Sequence, residues 1–165
     1  MILTDTNANI ERYKGYYSEL QESFNDQMAN VRKIITMDIR RTYANVITQD
    51  IKDKMYRILY TYAKRNMEMG YCQGINFIVY YLLEMKFNEE RVFWILAYLV
   101  EHLIPKGYYG NMVPVISDIK LFKHILRLKQ PKLIKHFQKI NLDLNFFVIS
   151  WFVTVFTNVK NLYVS

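Results

Sequence analysis

At 165 residues, with 52% apolar and 22% charged residues, the chain is long enough to bury a core and too apolar to be disordered. Cys72 is its only cysteine, which excludes an internal disulfide framework. The net charge of +7 comes from 22 Lys and Arg against 15 Asp and Glu. It suits acidic partners such as phosphates, anionic lipid or an acidic protein face. The basic residues read as scattered along the chain, which points to a solvated basic surface rather than a nucleic-acid patch.

The start, MILTDTNANIER, lacks the basic and then apolar stretch of a secretory signal. The longest uncharged run, Leu144–Val159, has 16 residues and includes Ser150, Thr154, Thr157 and Asn158. A membrane span needs about 20 predominantly apolar residues, so this run reads as a buried helix and the protein as cytosolic.

In chain order, Ile10, Tyr13, Tyr17, Leu20, Phe24, Met28, Val31 and Ile35 recur at spacings of three and four. That stripe predicts one long helix over about 9–35. A second helix is expected over Gln49–Arg65, with Met55, Ile58, Leu59 and Tyr62 inward. NMEMG, ending at Gly70, reads as a loop, followed by a buried helix near Cys72–Met85. Asn88 is placed as an N-cap with Glu89 and Glu90 in the first turn, and Phe87 and Val92 as a hydrophobic staple. That helix is expected to reach His102. Pro105-Lys106-Gly107 breaks the chain, and Pro114 and Pro131 suit the first turns of helices near Val115–Lys129 and Lys132–Gln138. A last helix is expected over Asn145–Asn158. No segment alternates with period two, so the fold class is all-α, with about six or seven helices.

Two segments carry candidate chemistry. In Ile35–Thr42 (ITMDIRRT), Asp38 and Arg41 are three apart and can meet on a helical turn. A carboxylate there would orient the guanidinium while leaving donors free for a phosphate, although an ordinary surface ion pair is the bland alternative. In Tyr71–Phe77 (YCQGINF), Gln73 stands at the positive end of an apolar helix. Its carboxamide can donate to one oxygen and accept from a water at once, and Gly74 would allow a close backbone approach. A plain helix cap is the bland alternative here.

Together these segments resemble the two signature motifs of the TBC domain family, I-x-x-D-x-x-R-T at Ile35–Thr42 and Y-x-Q-G at Tyr71–Gly74. Leu103–Tyr109 (LIPKGYY) is similar to the family's L-P-x-x-Y-Y stretch, and Ser150–Phe156 (SWFVTVF) to its third motif. The matches follow the family's order over about three quarters of the chain.

The resemblance implies an irregular all-α helical array that activates GTP hydrolysis by a Rab-family small GTPase. It implies that Arg41 enters the partner's nucleotide site as an arginine finger and Gln73 as a glutamine finger that positions water. Register favours Arg41 over Arg40, since it precedes Thr42 and follows Asp38 by three. Asp38 would orient Arg41 and Tyr71 would steady the glutamine loop, with Thr42, Gly74 and Asn76 supporting. An arginine supplied in trans is typically worth about 10³–10⁵ in rate.

No cofactor of its own is expected, GTP and Mg²⁺ being carried by the GTPase, and no independent enzyme chemistry. Expected partners are a Rab and no nucleic acid. The implied setting is vesicle trafficking in the cytoplasm, with peripheral association on endomembranes through the Rab.

The chain departs from the family at Ala44, where proline is frequent and fixes φ. The family's opening stretch is not evident before Ile10, nor are its helices after the third motif. Residues 1–165 therefore read as one TBC-like domain, incomplete at both ends. Cys72 reads as an apolar filler and Trp94 and Trp151 as core. Tyr56, Tyr60 and Tyr62 read as cover for the core rather than a base-stacking surface. His102, His124 and His136 lack metal-ligand spacing, and no Gly-rich phosphate loop is present. Two alternatives remain, a TBC-like scaffold that holds a Rab without catalysis, and a basic helical module that binds anionic membranes.

Overall fold

The computed structural model describes residues 2–23, 28–42 and 46–162. All described elements are helical, as expected: nine α-helices, a π-helical turn and a 3₁₀ segment, with no strand among the described residues. They fall into two compact units, Met1–Pro105 and Lys106–Ser165, each described by itself.

The first unit opens with α1 (Ile2–Arg12), α2 (Tyr16–Glu22) and α3 (Ala29–Arg41). One helix was expected over this stretch, and the count of six or seven helices was too low for the same reason. Gly15, at φ 87, takes a left-handed conformation that ends one helix and starts the next. α2 ends at Glu22, where Ser23 turns extended at φ −61, ψ 134, and α3 opens at Ala29; residues 24–27, Phe24 among them, fall outside the described residues. Of the stripe, Tyr17, Met28 and Ile35 are buried and Ile10, Leu20 and Val31 half-buried, whereas Tyr13 is 42% exposed. Periodicity reports which side chains turn inward and is blind to a single residue that re-aims the axis.

α4 (Gln49–Arg65) has the expected bounds. Thr48 accepts a bond from the Ile51 N–H, Asp50 lies in the first turn, and Lys64 and Arg65 close the last, each matching the helix dipole. Met55, Ile58, Leu59 and Tyr62 are fully buried, and α4 is the axis on which α2, α3, α5 and α6 pack.

α5 (Ile75–Glu84) starts three residues later than expected, because Cys72–Gly74 form the turn that leads into it. Asn88 caps α6 (Glu89–Tyr98) by accepting from the Arg91 N–H, as its sequence position predicts. α6 then widens into a π-helical turn over Leu99–Leu103, so the chain stays helical close to His102 in a different winding. Val92 is buried, and the Phe87 ring lies under the Arg91 guanidinium at 5.5 Å.

Two charged clusters fasten this core. Arg57 Nε donates to Glu89 at 2.9 Å, and the Tyr17 hydroxyl donates to the same carboxylate at 3.2 Å. Arg65 makes a two-pronged pair with Glu101, at 2.9 and 3.0 Å, while its guanidinium lies 5.1 Å from the Trp94 ring and 5.6 Å from Tyr16. Trp94 is buried as expected. Tyr56 and Tyr60 stack at 5.7 Å over the half-buried flank of α4, while Tyr62 is core.

In the second unit α7 (Val113–Lys129) packs on α8 (Pro131–Lys139) and α9 (Asn145–Val153). Pro114 and Pro131 occupy the first turns of α7 and α8, where the missing N–H is harmless. The Tyr109 hydroxyl donates to the Val153 carbonyl at 3.0 Å, and Phe122 meets Phe152 edge-on at 5.8 Å. α9 was expected to continue to Asn158 but stops at Val153. Val155 and Phe156 take positive φ, 51 and 61, and a 3₁₀ segment follows over Thr157–Leu162. Trp151, read as core, is half-buried.

Candidate functional site

The site is built where α3 ends. Arg41 is its last residue, and Thr42 turns the chain into an extended conformation at φ −72, ψ 107. The Thr42 N–H still reaches the Asp38 and Ile39 carbonyls at 2.9 and 3.2 Å, and its hydroxyl donates to the Asp38 carbonyl at 2.7 Å. That hydroxyl oxygen in turn accepts from Asn76 Nδ2 at 2.6 Å. The other end of the Asn76 carboxamide accepts from the Gly74 N–H at 2.9 Å. One asparagine thus joins the end of α3 to the start of α5.

A second tie runs beside it. The Tyr71 hydroxyl donates to the Asp38 carboxylate at 3.0 Å. Asp38, Thr42 and Asn76 are only 6%, 0% and 2% exposed. Hydrogen bonds in such surroundings are costly to leave half made, at about 1–3 kcal/mol for each orphaned group. Gly74 needs to be glycine, because its φ of 114 is strained for any side chain.

From this buried frame two side chains reach solvent. Arg41 and Gln73 are both exposed, each next in sequence to a frame residue, Thr42 and Gly74 respectively. Of the residues singled out from sequence, Asp38, Thr42, Tyr71, Gly74 and Asn76 are brought into one hydrogen-bonded group. One expected contact is not made. Among the described residues the ion pairs are Lys54–Asp50, Arg57–Glu89 and Arg65–Glu101, and none joins Asp38 to Arg41. The Asp38 carboxylate faces the buried Tyr71 hydroxyl instead, while Arg41 points to water. Tyr43 and Ala44, at the departure from the family pattern, lie outside the described residues.

Burial, and then the charge and hydrogen bond of Asp38, push the Tyr71 phenol well above its ordinary pKa. Burial followed by the Asp38 charge also pushes the Cys72 thiol up, so it stays protonated and is a poor nucleophile. Its Sγ lies 3.6 Å from the Gln73 carbonyl. Among the described residues no group of three or more His, Cys, Asp or Glu is placed to hold a metal ion.

The two neighbouring arginines occupy different surroundings. Arg40 lines a shallow cavity of about 370 Å³ with Thr36, Ile39, Gln49, Lys52 and Tyr56, on the side of α3 that meets α4. Arg41 lies outside it, on the face that also carries the exposed Ile34 and Met37 at helical spacings of seven and four. Sequence reasoning passed over Ile34 and Met37. Their signal was present, since both are apolar and sit off the buried stripe that contains Ile35.

Comparison with known proteins shows the family to which the chain belongs. The model of the Rab-GTPase-TBC domain matches residues 2–165. Human growth hormone-regulated TBC protein 1 is 28% identical over 96% of this chain and 48% of its own. TBC1 domain family member 2B of Xenopus tropicalis is 30% identical over 93% of this chain and 17% of its own. The crystal structure of the Chlamydomonas flagellar RabGAP TBC domain superposes with a TM-score of 0.77 at 26% identity, covering 94% of this chain and 52% of that one. The chain belongs to the Rab-GTPase-TBC domain family. It spans about half the length of the growth hormone-regulated relative, and no helix among the described residues is long and apolar enough to cross a membrane.

Proposed function

We propose that this chain activates GTP hydrolysis by a Rab-family GTPase, with Arg41 and Gln73 entering the partner's nucleotide site. The observation that carries the reading is the hydrogen-bonded frame of Asp38, Thr42, Tyr71, Gly74 and Asn76, largely buried, beside which the Arg41 guanidinium and the Gln73 carboxamide are exposed. A frame of this kind limits how far the two groups wander before the partner arrives, which lowers the entropy lost on binding.

In the reaction, water attacks the γ-phosphorus and the bond to the β-phosphate bridging oxygen breaks. The Gln73 carboxamide orients that water, accepting from it while donating to a γ-phosphate oxygen. The Arg41 guanidinium neutralises charge building on the transferred phosphoryl group and the leaving oxygen. Ile34 and Met37, on the same face of α3, supply apolar contact with the GTPase beside the finger. GTP and Mg²⁺ come with the partner, and the chain acts in the cytoplasm on endomembranes where that partner resides.

Single-turnover GTP hydrolysis by a panel of Rab proteins, at saturating activator, tests this. Arg41→Lys keeps the charge but loses the planar fork, and is expected to lower the stimulated rate by at least about a hundredfold. Gln73→Ala should cost a comparable factor, while Arg40→Lys changes little. A loss of no more than about twofold in Arg41→Lys would refute the two-finger mechanism. GTP-dependent binding without acceleration of any Rab would assign the chain to scaffolding.

A further inference from the structure

Read along the chain, the basic residues look scattered; divided between the two compact units, they do not. Lys106–Ser165 holds nine of the 22 Lys and Arg residues but only two of the 15 Asp and Glu, Asp118 and Asp143. The whole net charge of +7 therefore resides in those residues, while Met1–Pro105 balances thirteen against thirteen.

The same unit leaves aliphatic side chains in water. On α7, Val115 and Ile119 are buried, whereas Leu121, Ile125 and Leu128 are 58%, 46% and 68% exposed. Those three recur at spacings of four and three, so they form one stripe along the helix. At about 100° per residue, the exposed Lys120, His124 and Arg127 fall on the arc directly adjoining it. α8 repeats the division, with Lys132, Lys135, His136 and Lys139 within about 100° of arc and Leu133, Ile134 and Phe137 opposite.

A merely solvated face would be polar throughout and would not carry three exposed aliphatics in register. A nucleic-acid face would pair its lysines with aromatic or hydrogen-bonding side chains rather than with leucine. An anionic bilayer surface takes both features, headgroup phosphates receiving the cations and the acyl boundary receiving the leucines. We propose that the Lys106–Ser165 unit docks directly on an anionic lipid surface, with the Leu121–Ile125–Leu128 edge of α7 at the acyl boundary and Lys120 and Arg127 at the headgroups. The contact needs no GTPase, and so it stands or falls separately from the catalytic reading.

The test is co-sedimentation of the full chain, without GTPase or nucleotide, with vesicles of phosphatidylcholine alone or mixed with phosphatidylserine. Binding is expected only to the mixed vesicles, falling as salt rises from about 0.1 to 0.5 M. Lys120→Gln with Arg127→Gln should weaken it on the order of thirtyfold. Leu121→Gln with Leu128→Gln, which leaves the charge unchanged, should weaken it at least about tenfold. Circular dichroism confirms that each variant keeps its helices. Absence of binding by the unmodified chain, equal binding to neutral vesicles, or indifference to the leucine changes overturns the proposal. Failure on vesicles together with salt-sensitive binding to the GTPase gives the basic face to an acidic protein instead. A stable oligomer in light scattering that the leucine changes dissociate gives the stripe to a second copy.

Discussion

Asn76 uses both ends of a single buried carboxamide, donating to Thr42 and accepting from the Gly74 N–H. Replacing it with alanine orphans a hydroxyl oxygen and a backbone N–H in surroundings where water cannot replace them. Asn76→Ala is therefore expected to lower unfolding stability by about 2–4 kcal/mol, measured by urea denaturation. Asn76→Asp, which brings a charge into this buried site and turns an oxygen towards the Thr42 oxygen, should destabilise at least as much as alanine. An unchanged midpoint in the alanine variant would remove the frame from the account. At this scale the residues were legible and their pairing was not. Spacing of three in one helix suggested that Asp38 holds Arg41, yet the partner Asp38 takes is Tyr71, 33 positions away. Helical spacing describes neighbours within an element. It carries no information on which loop the tertiary fold will press against that element.

Helix bounds follow the same logic one level up. α4 was legible to the residue because its ends are written locally, in the Thr48 cap and the Lys64-Arg65 close. α9 was not, because nothing in the Thr154-Val155-Phe156 stretch warns that two bulky residues will take positive φ. Gly15 is the intermediate case, a lone glycine inside a convincing apolar stripe. A Cβ added there would meet nothing closer than Glu19 Oε1 at 3.8 Å, so a side chain has room and only the left-handed backbone opposes it. Gly15→Ala is expected to destabilise the protein by about 1–2 kcal/mol through that backbone term alone. Gly15→Asn should recover part of the loss, since asparagine tolerates this conformation better. Urea titration of both variants checks the order. Equal stability of alanine and asparagine would mean that the φ at this position is not what breaks the helix.

For the molecule as a whole, the family was legible from four short motifs in order, and the division into two units was not, because no Gly, Ser or Pro-rich linker marks Pro105–Lys106. Without that boundary the charge looked evenly spread. Stability against pH is also a property at this scale. Tyr17, Tyr62 and Tyr71 all have phenols pushed up, burial being the first cause in each, with Glu89 adding for Tyr17 and Asp38 for Tyr71. Folding thus favours the protonated phenol. The stabilisation is complete below the unfolded value of about 10 and is lost as pH rises above it towards the folded values. Unfolding free energy is expected to be level from about pH 8 to 9.5 as far as these tyrosines are concerned, then to fall steeply above about pH 10. Tyr71→Phe should make that fall shallower, because one fewer phenol is released on unfolding. A stability that stays flat through about pH 11 would contradict the assignment of these three groups.

The frame between Thr42 and Asn76 has a kinetic side as well. The two ties that cross it, Tyr71 to Asp38 and Asn76 to Thr42, join positions 33 and 34 residues apart, so they are expected to form after α4 has folded and laid α3 and α5 along its flanks. Loop closure is then already accomplished by apolar burial, and the polar ties lock what packing has brought together. Such late contacts act chiefly as a brake on opening. The segment that offers Arg41 and Gln73 to a partner is in this sense expected to set late, and the frame to govern how long it stays set.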